Sequence, residues 1–167
     1  MVDGKEESIN RVQFLKTDPK ARYQGYSFYF REGFCWNLIN GTRSTNDLKF
    51  RMAPIGVNDV GAMTLRLCKN RFLSNNLILA IGNSIITNKY TEAYINFTVN
   101  FQVNDCRQIP IVIPNAEELQ NFESLVNKAI NFKKSASNLY SEADHIIDEL
   151  LLIKQEIDKA VLSLYRI

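Results

Sequence analysis

Histidine is almost missing from this chain: the only one is His145. A zinc site draws three or four ligands mainly from His and Cys, so there is little to build one from. The three cysteines, Cys35, Cys68 and Cys106, are odd in number and far apart, and none forms a CxxC pair. That excludes a disulfide framework and a zinc knuckle as the natural readings. The glycines at 33, 41, 56, 61 and 82 form neither a P-loop nor a dinucleotide fingerprint. No Ser or Cys stands at a nucleophile elbow. Asp47, Asp59 and Asp105 are isolated in sequence. No run of about 18 apolar residues exists, so no membrane-spanning helix is expected. The opening "MVDGKEESINR" is polar and lacks the apolar core of a signal peptide. The expectation is a cytoplasmic protein without a catalytic constellation of its own.

What is present is ordinary globular material. Of 167 residues, 46% are hydrophobic and 23% charged, enough for one domain with a sizeable core. The net charge of +2 hides an asymmetry. Lys20 to Pro110 holds eleven basic and five acidic residues, a balance of +6. Asn115 to Ile167 holds six basic and nine acidic ones, a balance of −3. A basic first part joined to an acidic tail points to a polyanionic partner for the first part, against the plainer reading of a solvated surface.

Periodicity divides the chain in three. Residues 1–20 read as a lead-in, with a short strand at "INRVQFL" and a turn at "KTDPK". Residues 21–114 read as an α+β unit. Its strand candidates are "YQGYSFYF", "EGFCWNLI", "LKFRMAPIGV", "AMTLRLC" and "INFTVNFQ". Met63, Leu65 and Leu67 alternate with Thr64, Arg66 and Cys68, a period of two with one buried face. "NGTRSTND" is a polar loop rich in turn formers. Leu73, Leu77, Ile78, Ala80, Ile81, Ile85 and Tyr90 recur at helical spacing, which predicts one internal helix over 75–86, capped by Ser74 and able to run past Asn88. Pro110 and Pro114 put "IPIVIP" at a sheet edge or in an extended connection.

Residues 115–167 read as helical. Asn115 and Glu118 have capping-box spacing. Leu119, Phe122, Leu125, Val126, Ala129 and Ile130 form one apolar stripe, and it resumes from Leu139 to Leu164. No Gly or Pro interrupts the span, so it is a long amphipathic helix or a hairpin broken near "NFKKSAS". His145 falls in the stripe as an ordinary helix residue. The predicted class is α+β: a mixed or antiparallel sheet unit with one internal helix, followed by long C-terminal helices.

Several stretches carry a family resemblance. "TVNFQVNDCRQIPIVIP", from Thr98 to Pro114, resembles the TxNFQxxDIxxxPIPIP-type segment that closes the target recognition domain of adenine-specific DNA methyltransferases in type II restriction-modification systems. "LILAIGNSIITNKYTEAY" resembles the helix these enzymes build around LLGLLNSK. "REGFCWNLI" and "FRMAP" resemble their GVTWSDI and ARYLP strands, and "EIDKAVLSLYRI" resembles EIDELVYKLYGL. The likeness covers roughly Tyr29 to Ile167, and the order of elements is more specific than any one motif. Departures are Cys106, where an apolar residue is usual, and Arg166, where Gly is frequent. The glycine-rich S-adenosylmethionine loop and the Asn-Pro-Pro-Tyr-type catalytic motif do not occur in this sequence.

The resemblance implies a sequence-specific DNA recognition domain, as in type IIG-like restriction/modification enzymes, with its helical tail. Its partners would be double-stranded DNA and a methyltransferase catalytic domain or subunit. No cofactor is expected in this chain; S-adenosylmethionine would belong to the associated catalytic domain. Phosphate contacts need Lys and Arg, and base edges need Arg, Asn, Gln, Ser or Thr on reachable loops. The candidate DNA-contacting residues are Arg43, Ser44, Thr45, Asn46, Lys49, Arg51, Arg66, Lys69, Arg71 and Arg107. Asn100, Gln102 and Asp105 are assigned to the strand-to-helix geometry of the shared motif or to contact with the catalytic core. The alternative is a protein–protein interaction module that pairs its C-terminal helices with a partner.

Overall fold

The computed structural model of the chain describes residues 4–20, 25–38, 49–58, 61–68, 72–96, 98, 100–136 and 143–167, with 4–10, 136 and 143–146 described by their backbone alone. The fold is α+β. Contacts divide it into two units, Met1–Arg31 with Ile55–Val57, and Glu32–Pro54 with Asn58–Ile167.

In the first unit, helix α1 runs Gly4–Thr17. The expected strand at 9–15 is therefore helix. Ile9, Val12 and Phe14 suggested a strand, but Lys5, Glu6, Glu7, Arg11, Gln13 and Lys16 favour helix across the wider window. The turn at 16–20 forms as expected, with the Lys20 N–H donating to Asp18 Oδ1 at 2.9 Å. "YQGYSFYF" is likewise no strand where it is described. Gly25 adopts φ 75°, Tyr26–Phe28 make one 3-10 turn, and Phe30 has φ 57°. Left-handed residues at both ends bend the chain too sharply for a ladder. Lys16 lies 4.8 Å over the Tyr26 ring and Arg31 5.8 Å over that of Phe28, so cations cover aromatics that strand pairing would otherwise bury.

The second unit is built on a three-stranded antiparallel sheet of order β2-β1-β3: β1 Phe34–Asn37, β2 Arg51–Met52 and β3 Ala62–Leu65. Cys35 stands opposite Arg51 on one side and Thr64 on the other. Phe34, Cys35 and Trp36 are all buried, so both faces of β1 are covered. β2 is far shorter than the "LKFRMAPIGV" stretch because Pro54 ends the ladder. β3 is half-exposed along its length, with Met63, Leu65 and Leu67 turned onto the core as their alternation predicted.

Helix α2, Asn75–Gly82, is capped by Ser74, whose Oγ accepts the Leu77 N–H at 3.1 Å. The expected single helix breaks at Asn83. Ser84 recaps the chain, and α3 runs Ile85–Tyr90 into a π turn at Thr91–Ile95. Among the described residues of the strand expected at 95–102, only Asn100 makes an isolated bridge. Asn96 Oδ1 accepts the Thr98 N–H at 2.8 Å in an Asx turn, and the chain then enters the short helix α4, Val103–Cys106. Residues 110–115, without helix or strand, connect α4 to the next helix.

Helix α5, Ala116–Ala136, opens with the expected capping box. The Asn115 N–H donates to Glu118 Oε2 at 2.7 Å, and the Glu118 N–H to Asn115 Oδ1 at 2.9 Å. Helix α6, Ala143–Tyr165, pairs with it, so the tail is a hairpin. Phe122, Val126, Val161 and Leu164 join Trp36, Phe50, Leu77 and Ile81 in one core. Pro114 thus marks a change of secondary structure inside a shared core.

Candidate nucleic-acid interface

One end of the sheet gathers the polar groups. Phe34, Trp36, Phe50 and Phe101 form an aromatic cluster, with Trp36 centred 5.4 Å from Phe50 and 5.9 Å from Phe101. The buried Trp36 Nε1–H needs an acceptor and finds the Phe101 carbonyl at 2.8 Å. The Phe101 N–H in turn donates to the Leu38 carbonyl at 3.0 Å. These bonds draw the exposed Asn100 and Gln102 to the point where β1 ends.

Across the hairpin, Lys49 and Arg51 are exposed while Phe50 between them is buried; in β2 itself, Arg51 and Met52 are both exposed. Arg51 Nη1 donates to Asn37 Oδ1 at 2.8 Å, which holds the guanidinium over the stem. The stretch carrying Arg43, Ser44, Thr45 and Asn46 leaves this stem, and those four residues lie outside the described ones. Lys69 and Arg71 lie outside them too.

Two other candidates sit elsewhere. Arg66 follows Leu65, which pairs with Phe34 at the opposite end of β1, about 10 Å from Asn37 at 3.3 Å per residue. It is not part of this group. Arg107 is exposed beyond α4, where its Nη1 reaches Asn104 Oδ1 at 3.4 Å.

The polar crowd upstream of Pro110 is largely a self-capping turn. Asp105 Oδ2 accepts the Gln102 N–H and the Asn96 amide, both at 2.8 Å. Gln108 Nε2 donates to the Asn104 carbonyl at 3.1 Å. The geometric role expected of Gln102 is therefore carried by its backbone N–H and by Asp105; the Gln102 side chain is exposed. Cys106 is buried behind the turn, and that burial pushes its thiol up to about 12.

Asn37 was not among the candidates, and no sequence signal separates it from other strand-end asparagines. No model of a known protein family matches this chain, and no curated protein is significantly similar to it.

Proposed function

We propose that this chain is a DNA target recognition region that works beside an adenine-specific methyltransferase core. The observation that carries the reading is the stem at the end of the sheet. Arg51 is exposed there on β2 beside Asn37, Lys49 is exposed just ahead of it across buried Phe50, and the Trp36–Phe101 bond brings Asn100 and Gln102 to the same end of the sheet. Cations on a rigid support suit phosphates, and the amide side chains beside them suit base edges. Arg166 lends further support. It takes φ 57°, a conformation natural to the Gly that the resembling enzymes frequently have there. The methyl donor and the catalytic residues would come from the associated core.

Anisotropy titrations of the purified chain on mixed duplexes over a salt series test the reading. Binding should weaken as salt rises, and the Lys49→Ala, Arg51→Ala double variant should lower the logarithmic salt slope by about 2. Absence of binding at low salt would remove the reading.

A further inference from the structure

Helices α5 and α6 do not close fully on the sheet. Between them and β2 lies a groove of about 520 Å³. Leu79, Val126, Ile130, Leu150, Ile153 and Ile157 make it apolar, and Lys49, Arg51, Lys133, Lys154 and Asp158 line it as well. Lys154 and Asp158 are paired at 2.9 Å. Four cations and one carboxylate leave a balance of +3. The apolar surface continues along α6, where Ile147 is 54% and Leu151 51% exposed.

The complement to this groove lies on the same helix. The first two turns of α6, "ADHIIDEL", hold Asp144, Asp148 and Glu149 and no Lys or Arg; at about 100° per residue the positions of Asp144 and Asp148 fall on the side of Ile147 and Leu151, and that of Glu149 on the far side. We propose that the groove is the contact face of a two-fold homodimer, in which the acidic first turns of α6 of each copy lie across the basic groove of the other.

The symmetry follows from the layout. The exposed pair Ile147 and Leu151 is centred about five residues before the α6 part of the groove, roughly 7.5 Å along the axis. An antiparallel pairing about an axis near Leu151 makes the acid-on-base contact twice. A parallel pairing would set acid on acid.

The test is the mass of the full chain by light scattering across concentration and salt, without DNA. The expected result is a dimer that dissociates as salt rises. Leu151→Glu should raise the dissociation constant about a hundredfold, as for a central contact residue. Its melting at monomeric dilution should match wild type, because Leu151 is half exposed there. Lys133→Glu and Asp148→Lys should each weaken the dimer several-fold, and their combination should restore it. A wild-type chain that stays monomeric at hundreds of micromolar overturns the proposal. So does a dimer indifferent to all four variants. Lys49 and Arg51 line both this groove and the candidate DNA surface, so dimer and duplex would compete for them. Leu151, Lys133 and Asp148 are not among the DNA candidates, so a failed dimer leaves the recognition reading standing.

Discussion

The carboxamide of Asn83 closes on the backbone of Phe50. Its Oδ1 accepts the Phe50 N–H at 2.9 Å and its Nδ2 donates to the Phe50 carbonyl at 3.0 Å, as a neighbouring strand would. β2 is an edge strand, and edges with unsatisfied backbone groups recruit other chains. Asn83→Ala should cost about 1–3 kcal/mol by stranding both groups. Asn83→Asp should be no better, because a carboxylate cannot donate to the Phe50 carbonyl. Urea melts of the two variants measure this.

One residue earlier, two effects compete. Gly82→Ala gains about 1 kcal/mol of helix propensity. But a Cβ there would meet the Phe50 ring at 2.6 Å. The overpacking term, about 1–3 kcal/mol, is the larger. The variant should melt below wild type, and adding Phe50→Leu should recover part of the loss. A Gly82→Ala protein more stable than wild type would mean the ring moves freely.

Asp105 and Gln102 should behave oppositely to a motif read as a block. Asp105→Ala removes the acceptor for the Gln102 N–H and should cost about 1 kcal/mol, the usual value of a cap. Gln102→Ala should stay within about 0.5 kcal/mol, as exposed substitutions do. Thermal melting decides between them. If the two change places, the side chain of Gln102 carries the turn.

Arg166 closes α6 in the left-handed region. Its N–H donates to the Ser163 carbonyl and that of Ile167 to the Leu162 carbonyl, the two bonds of a Schellman cap. Glycine adopts this conformation without a Cβ penalty. Arg166→Gly should stabilise the protein by about 0.5–1 kcal/mol, read as a raised melting temperature.

Cys106 links stability to alkaline pH. Burial favours its neutral thiol, with the carboxylate of Asp105 acting the same way and Arg107 opposing. The folded value of about 12 lies above the unfolded one near 9. The contribution is therefore fully present below pH 9 and is lost as pH rises towards 12. Cys106→Ala should melt with a shallower decline over that window. In native protein near pH 8, a thiol reagent should label exposed Cys68 first and spare buried Cys35 and Cys106.

Local signals were the legible part of this fold. Ser74, Asn115 and Glu118 cap the helices they were expected to cap, because capping is decided within four residues. The hairpin of α5 and α6 was one of two readings of an apolar stripe that outlasts its break, and packing between the helices selects it. Among the described residues, the strands expected at 9–15, 23–30 and 95–102 are absent apart from a bridge at Asn100, for a different reason. Aromatic and β-branched residues only permit a strand, and a partner edge must supply the ladder. The candidate site divides the same way. Lys49 and Arg51 were readable as cations, whereas their nearness to Asn100 and Gln102 depends on the bond from Trp36 to Phe101, 65 residues on. Arg66 was grouped with them by charge, and one antiparallel register separates it.

That same bond sets a schedule for synthesis. At about 5–20 residues per second, roughly 6–26 s separate the translation of Trp36 from that of Leu164, the last buried member of its core. Until then the indole N–H has no carbonyl to meet if Phe101 is still unmade, and the apolar face of α2 has no α5 or α6 to rest on. A nascent chain in this interval carries its aromatic residues without the partners that will cover them, the exposed apolar surface that makes incompletely folded chains prone to aggregate.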